Sequence, residues 1–522
     1  MMTPDYDVAI VGSGFAGSLL ARLLAQKGLS VVLVEAGRHP RFALGESSTP
    51  LAAIALERMA HRFGVPDLAQ FAAYGRWMDS QPELMRGLKR GFSFYGHDQG
   101  QPYRCGSQDS RRLLVAASPN DAIADSHWLR LDVDARFVQR AIEAGVQLLE
   151  KHRLIELTQD DGRFDLVLDR ESGVAQISSR FVVDASGGGS AVATALGVPA
   201  IATSKTHGTL LYGHFRNVRP FASGPAGTAI TDPYPEHLAA NHHVFAGGWV
   251  YVLPFDDGRV SAGAVLEDAV PDGMSAAEAW QSTLDSLPSL ADCFRDAVPV
   301  EGLAPRIVAG LRRRRASAAG SGWALLPHAY AFQDPMYSTG MAWSLLGVER
   351  LADVLGATST HDATQTETNA GLQRYAHLLE TEALHIEGLN AGARALYGDF
   401  DRFVEWSKLY FLAASYCEAR QRFLAPPDAA WEGFLGCTDP ELQSLFERAT
   451  DWFEEELDAL TSRWTETLRS RDVAGITTAG RLRRIPVDLE ALIEAAPRLQ
   501  LDGDALRAML PRVLRGSRFG TR

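Results

Sequence analysis

The 522-residue chain carries 51 Lys and Arg against 64 Asp and Glu, a formal net charge of −13, with 46% hydrophobic and 22% charged residues. These proportions are those of a soluble globular protein with room for more than one domain, and the acidic balance excludes a nucleic-acid surface and adhesion to anionic lipid. No apolar run reaches the roughly 18 residues of a membrane span. Cys105, Cys293, Cys417 and Cys437 are too scattered for a metal centre or a disulfide frame, and the chain opens directly on a strand without a signal peptide. A cytoplasmic, metal-free protein is expected.

The organising stretch is Asp5–Gly37, DYDVAIVGSGFAGSLLARLLAQKGLSVVLVEAG. Val8-Ala9-Ile10-Val11 has the length and branching of a buried parallel strand. Gly12, Gly14 and Gly17 follow in G-x-G-x-x-G spacing, with Phe15 and Ala16 between the last two. Gly12 permits the sharp exit from the strand, Gly14 lets a pyrophosphate approach the backbone, and Gly17 lets the helix pack close to the sheet. Ser18 to Lys27 reads as helix closed by Gly28, and Ser30 to Val34 as the second strand. Glu35, followed by Ala36, stands at that strand's carboxyl end, where a carboxylate accepts both hydroxyls of an adenosine ribose and repels a 2′-phosphate. The unit therefore binds FAD or NAD.

Arg41 to Pro50, RFALGESSTP, is a loop centred on Gly45-Glu46-Ser47, and a helix is expected from Leu51 to about Phe63. Arg76 to His97 contains one alternating strand through Phe92 and Phe94. In HWLRLDVDARFVQRAIEAGV, from His127, Asp134 reads as the N-cap of a helix ending near Glu143. Ile155 to Ile177 reads as a meander turning at Asp160-Asp161-Gly162. Arg180 to Gly189, RFVVDASGGG, reads as a buried strand entering a glycine loop, with Asp184 at the junction. Trp249-Val250-Tyr251-Val252-Leu253 heads a hairpin that turns at Asp256-Asp257-Gly258. Arg312 to Arg315 is a charged strand or solvated edge, or else a basic patch for an anionic carrier protein. Gly322 to Leu326 reads as strand, Pro327 to Gly340 as loop, Met341 to Leu355 as apolar helix, and the chain from about His361 as mostly helical.

Three separated segments thus line up: the opening unit, the Val182–Gly187 strand and loop, and the strand, loop and helix from Trp323 to Leu346. A simple NAD dehydrogenase does not return to its nucleotide site twice with such loops. A flavoprotein of the p-hydroxybenzoate-hydroxylase fold does, because one FAD spans a composite site. Within that fold, residues 5–355 resemble the flavin-dependent halogenases on four stretches. These are Gly12–Gly17 with Glu35; Gly45-Glu46-Ser47; Lys89, five residues before Phe94 in LKRGFSF; and Asp334-Pro335-Met336-Tyr337-Ser338-Thr339-Gly340.

The resemblance implies an α/β architecture, a Rossmann-like FAD-binding domain interleaved with a β-sheet substrate domain over 1–355; the pattern of 356–522 adds a mostly helical C-terminal domain, expected to cover the substrate cavity. It implies FAD contacts from Gly12, Gly14, Phe15, Ala16, Gly17, Glu35, Ala36, Gly45, Glu46, Ser47, Asp184, Asp334, Gly340 and Met341. It implies chloride or bromide on the backbone N–H groups of Thr339 and Gly340, beside a helix N-terminus. Phe94, Trp249, Tyr251, Pro254 and Tyr337 would line the substrate pocket. The implied activity is halogenation of an electron-rich aromatic or heteroaromatic ring, free or carrier-bound, with hypohalous acid made at the flavin and delivered to Lys89. A buried lysine suits that task, since burial lowers its pKa. Reduced FAD would come from a separate flavin reductase, because no second nucleotide motif is visible.

The chain departs from the family at three points. The W-x-W-x-I-P signature is WVYVLP here, with Tyr251 and Leu253 replacing tryptophan and isoleucine. Pro327-His328 stands where related hydroxylases carry Gly-Asp. Tyr337 stands where tryptophan halogenases carry glutamate, which points to the phenol, pyrrole and carrier-bound branches. The alternatives are an FAD monooxygenase or dehydrogenase on the same fold, and a flavin-fold binding protein without turnover.

Overall fold

The computed structural model describes residues 5–104, 111–118, 120–160, 162–201, 208–222, 234–360, 364–423, 433–438, 440, 443 and 476–478. Cys105, Asp161 and most of the chain beyond 423 lie outside the described residues, and with them much of the expected C-terminal domain.

The first layer is a parallel sheet built from apolar, β-branched runs. Its five parallel strands lie in the order Trp323–Leu325, Gly173–Asp184, Tyr6–Val11, Val31–Glu35 and Gln147–Glu150. Val8, Ala9, Ile10 and Leu33 are wholly buried, as continuous apolar strands between two covered faces must be. Helix Phe15–Gln26 lays Leu19, Leu20, Leu23 and Leu24 against one face. Each such leucine contributes about 1.5–3 kcal/mol of burial. The antiparallel strands Arg153–Asp160 and Arg163–Arg170 continue into Gly173–Asp184. This is the meander read from the sequence.

The second layer is a mostly antiparallel sheet containing Thr209–Arg216, Val260–Leu266, Gly248–Pro254, Ala240–Phe245, Gly91–Gly96 and Arg112–Ala116, in that order. Helix Thr339–Gly356 is the apolar pillar of the first layer, tied to helix Pro50–Arg62 by Arg58–Glu349 and Arg62–Glu349 ion pairs at 3.4 and 2.5 Å. Helices Gln365–Ala395 and Phe400–Phe423 follow.

Four local expectations are corrected. Asp134 is not an N-cap: helix Arg130–Glu143 begins a turn earlier, with Leu129 at the cap position. Asp134 is buried inside it because Arg130, four residues back, pairs with it at 2.7 Å. Lys89 ends a separate strand, Arg86–Lys89, that pairs with Asp125–Trp128, so the single strand expected through Phe94 is two. The expected loop Pro327 to Gly340 contains the short helix Pro327–Tyr330 and strand Ala331–Phe332, and the long helix starts at Thr339 rather than Met341. Arg312 to Arg315 forms no free basic patch. Arg312 pairs with Glu267 and Asp334, Arg313 donates to the His328 carbonyl, Arg314 pairs with Glu380, and Arg315 donates to Val198 and Thr194.

A candidate flavin site and a buried lysine

The glycines of the opening turn are sterically obligatory. Gly12 has φ +106°, and a Cβ there would stand 2.4 Å from the Ala185 carbonyl oxygen. A Cβ on Gly17 would stand 2.1 Å from the Gly12 carbonyl oxygen. Helix Phe15–Gln26 starts from Gly14 without a side-chain cap, so its first N–H groups are open to an anion. Glu35 accepts hydrogen bonds from Ser13 N (3.1 Å), Ser13 Oγ (2.8 Å), Gly37 N (2.8 Å) and Arg41 (2.9 Å). Burial raises its pKa, but Arg41, Gly37 and Ser13 outweigh burial and hold it at about 2. It is therefore a fixed carboxylate at the carboxyl end of strand Val31–Glu35.

Two arginines that the sequence reading passed over sit at this turn. A Cβ on Gly14 would meet Arg130 Nη2 at 3.5 Å, Oδ2 of its ion-pair partner Asp134 at 3.6 Å and Arg41 Nη2 at 3.9 Å. Arg130 also donates to the Leu44 and Gly45 carbonyls at 2.5 and 3.1 Å and lies 4.7 Å over the Phe15 ring. It thereby fastens the Gly45-Glu46-Ser47 loop to the glycine turn. The only local sign of it was the spacing of Arg130 to Asp134. Two guanidinium groups beside an uncapped helix N-terminus fit a pyrophosphate.

The Gly45-Glu46-Ser47 loop forms one wall of a cavity of about 930 Å³, where Leu44, Gly45, Glu46 and Ser47 face Leu210, His242, Trp249, Tyr251, Leu253, His328, Asp334 and Ser338–Met341. Ser338 has φ +55°, the left-handed turn from which helix Thr339–Gly356 starts without a side-chain cap. The N–H groups of Thr339, Gly340 and Met341 thus belong to an open first turn on the cavity wall. Asp334 is buried and braces the wall. It accepts from Trp249 Nε1 at 3.2 Å, Met336 N at 3.1 Å and Arg312 at 3.2 Å. Glu46 has His214 Nε2 3.0 Å away, reaching across from strand Thr209–Arg216.

Other expected contacts fall elsewhere. The Asp184 carboxylate is filled by Ser186 N and Oγ, Val192 N and Ala193 N, so it caps the next turn rather than presenting itself to a ligand. Along strand Gly248–Pro254, Trp249, Tyr251 and Leu253 face the main cavity. Val252 and Pro254 line a different cavity of about 640 Å³ on the opposite face, as strand alternation requires. Phe94 and Tyr337 lie behind the main cavity, wholly enclosed. Tyr337 stacks on Tyr410 with centroids 4.2 Å apart, and Phe411 packs against Phe92 and Phe94, which places helix Phe400–Phe423 over this aromatic zone.

Lys89 is wholly buried in that zone. Its Nζ donates to the Ser48 carbonyl at 2.6 Å and lies 3.8 Å over the Phe92 ring. Burial pushes its pKa down to about 7, against the pull of Asp125. Ser48 directly follows the Gly45-Glu46-Ser47 loop, and its Oγ donates to Ser126 O at 2.8 Å. Phe92 and Phe94 contact His242 at 5.8 and 4.6 Å, and His242 stacks on Trp249 at 5.1 Å. The rings of Phe92 and His242 thus link the lysine to the main cavity, which His242 lines. His242 was absent from the sequence reading.

The glycine turn, the charged Glu35, the paired arginines and the cavity fit an extended dinucleotide with a flat ring system at its far end. Residues 7–419 match the family described as DAO, FAD dependent oxidoreductase. The chain belongs to that family. This FAD-dependent oxidoreductase is 30% identical over 360 residues to monodechloroaminopyrrolnitrin halogenase PrnC of Pseudomonas fluorescens, across 66% of this chain and 61% of PrnC. It thus spans about three fifths of that relative's length. Tetracycline 7-halogenase of Kitasatospora aureofaciens is 26% identical over 425 residues, 78% of this chain and 73% of that protein. The crystal structure of halogenase PltM in complex with phloroglucinol and FAD superposes with a TM-score of 0.77 at 22% identity, covering 89% of this chain and 95% of that one. The flavoprotein fold and FAD as cofactor stand as the sequence led one to expect. Among the described residues no helix is long and apolar enough to cross a membrane, and no cluster of His, Cys, Asp and Glu could hold a metal ion.

Proposed function

We propose that this FAD-dependent oxidoreductase is a halogenase of an electron-rich aromatic or heteroaromatic substrate, with Lys89 as the halogen-transferring residue. The observation that carries the reading is the buried Lys89 amine, with a pKa near 7, bonded to the carbonyl that ends the flavin-side loop. Bound reduced FAD supplies the oxygen chemistry that oxidises a halide to hypohalous acid. The chain's own residues do the rest. Gly12, Gly14, Phe15, Ala16, Gly17, Arg41 and Arg130 hold the pyrophosphate end, and Glu35 with Ala36 the ribose. Gly45, Glu46, Ser47, Gly340 and Met341 flank the ring, and the open N–H groups of Thr339 and Gly340 hold chloride or bromide. Trp249, His242, Phe92 and Phe94 keep water from the path between cavity and lysine. Lys89, near its midpoint at neutral pH, can hydrogen-bond hypohalous acid as an ammonium or carry the halogen as an amine.

The same reading assigns a separate flavin reductase as partner and a small arene, free or carrier-tethered, as substrate. Relatives named as halogenases and a Tyr337 in place of glutamate support it. Incubation with a flavin reductase, NADH, chloride or bromide and a panel of phenols, pyrroles and indoles tests it. A halogenated product that disappears in Lys89→Ala is expected. Halide-independent oxygen insertion by the wild type would replace this reading with a monooxygenase.

A further inference from the structure

We propose that the second cavity, on the far side of the sheet from the main one, is a binding site for a small hydroxylated arene held by hydrogen bonds to Asn241 and His243. The inference does not rest on halogen transfer. Strand Ala240–Phe245 alternates between the two cavities: His242 lines the main one, while Asn241 and His243 line the one of about 640 Å³. Both are almost wholly buried, 4% and 0% exposed, and each keeps one unpartnered polar atom. Asn241 Nδ2 donates to the carbonyls of His237, Ala239 and Val252 at 3.2, 2.9 and 3.3 Å, which fixes the amide's orientation and leaves Oδ1 without a donor. His243 Nδ1 lies 2.9 Å from His97 Nε2, and His243 Nε2 has no partner.

Buried polar atoms are nearly always paired, so two left unpaired on the same face of one strand mark a place for a ligand's polar group. Asn241 Oδ1 only accepts, so the ligand must bring an O–H. His243 Nε2 accepts or donates according to which ring of the His97–His243 pair carries the shared proton. Burial lowers the pKa of both rings, that of His97 to about 4, so this wall holds no cationic imidazole at neutral pH and suits a neutral hydroxyl rather than a carboxylate. The cavity's two arginines are already engaged: Arg259 pairs with Asp257 at 3.3 Å, and the exposed Arg219 donates to the Asp292 carbonyl. The remaining wall is Phe221, Pro254 and Phe255 with Leu290 and Phe294 of helix Pro288–Phe294, apolar surfaces that take the faces of a flat ring.

Equilibrium dialysis of the FAD-loaded protein with resorcinol counts the sites and measures their affinity, with 1,3-dimethoxybenzene, the same ring without O–H groups, as the control. Val218→Trp, which fills the cavity from a half-buried wall position away from the polar pair, is expected to bind one resorcinol fewer than wild type, whether or not another molecule occupies the main cavity. Asn241→Leu and His243→Phe are each expected to weaken the same site about tenfold, and 1,3-dimethoxybenzene to bind it at least tenfold more weakly than resorcinol. The proposal is overturned if Val218→Trp binds as many resorcinol molecules as wild type. It is equally overturned if 1,3-dimethoxybenzene matches resorcinol at the site that Val218→Trp removes, which would make apolar fit rather than the two polar atoms the cause. Should Asn241→Leu fail to fold, because three carbonyls lose their donor, His243→Phe, which keeps a ring in place, must weaken the site about tenfold or the proposal fails.

Discussion

The two ends of the site are built in opposite ways. At the glycine turn, backbone N–H groups, Glu35, Arg41 and Arg130 form a charged, hydrogen-bonded cradle in which each side chain has a partner. At Lys89, one buried amine lies over the Phe92 ring and donates to a backbone carbonyl at 2.6 Å, with Asp125 the opposing charge on the paired strand. The first end binds by satisfying charge. The second keeps a charge uncomfortable, so that a proton leaves readily near neutral pH. The proposed halogen transfer needs both, a grip on an anionic cofactor and an amine that can give up its proton, kept apart by a dry layer.

The comparison breaks most completely at Gly17. Gly17→Val is expected to abolish FAD binding, because a side chain cannot fit 2.1 Å from the Gly12 carbonyl oxygen. Titration with oxidised FAD, with circular dichroism as a check on folding, measures it. Lys89→Met should do the converse. Halogen transfer should fall by roughly 10²–10⁴-fold, the usual worth of a positioned proton-handling group, while FAD affinity stays within about twofold. If Lys89→Met weakened FAD binding as severely as it slowed product formation, the two ends would not be separable.

How much of this was legible follows from how each end is made. The glycine turn, the first helix and Glu35 are coded by neighbours in sequence, so spacing and strand pattern gave them directly. Lys89 was found through a matching stretch, but its surroundings come from residues 48, 92, 125, 242 and 411, which no local pattern brings together. Arg130 was hidden because its partners, Leu44, Gly45 and the Gly14 turn, are some 85 positions and more away. The Asp134 error has the same origin. Aspartate is a good cap by propensity, yet a buried ion pair with Arg130 took it into the helix. Pro254 was misplaced by treating a motif as a pocket, although alternate residues of a strand must face opposite sides.

Between the two ends lies Asp334, which braces Trp249, Met336 and Arg312 together. Asp334→Asn keeps the shape but removes the charge opposite Arg312, leaving Glu267 as that arginine's remaining carboxylate. A loss of about 2 kcal/mol in stability is expected in urea unfolding, the usual cost of a weakened buried charge-assisted bond. Trp249 should also become more mobile, read as a change in fluorescence anisotropy.

A pH dependence sharpens the contrast most, because it separates the lysine's chemistry from its packing. Burial lowers the folded-state pKa of Lys89 from 10.5 to about 7. Below pH 7 both folded and unfolded chains carry the proton, and folding bears the full penalty of burying it. Between 7 and 10.5 the unfolded chain binds more protons than the folded one, so this residue's contribution to stability rises with pH. Lys89→Met, which has no proton to bury, should therefore be more stable than wild type at pH 7, and the gap should narrow by about 2 kcal/mol by pH 9. Urea midpoints of both proteins at the two values measure the gap. A gap that stays constant would mean that the amine keeps an ordinary pKa in the folded protein, and that the aromatic shell does not supply the dryness on which its proposed chemistry depends.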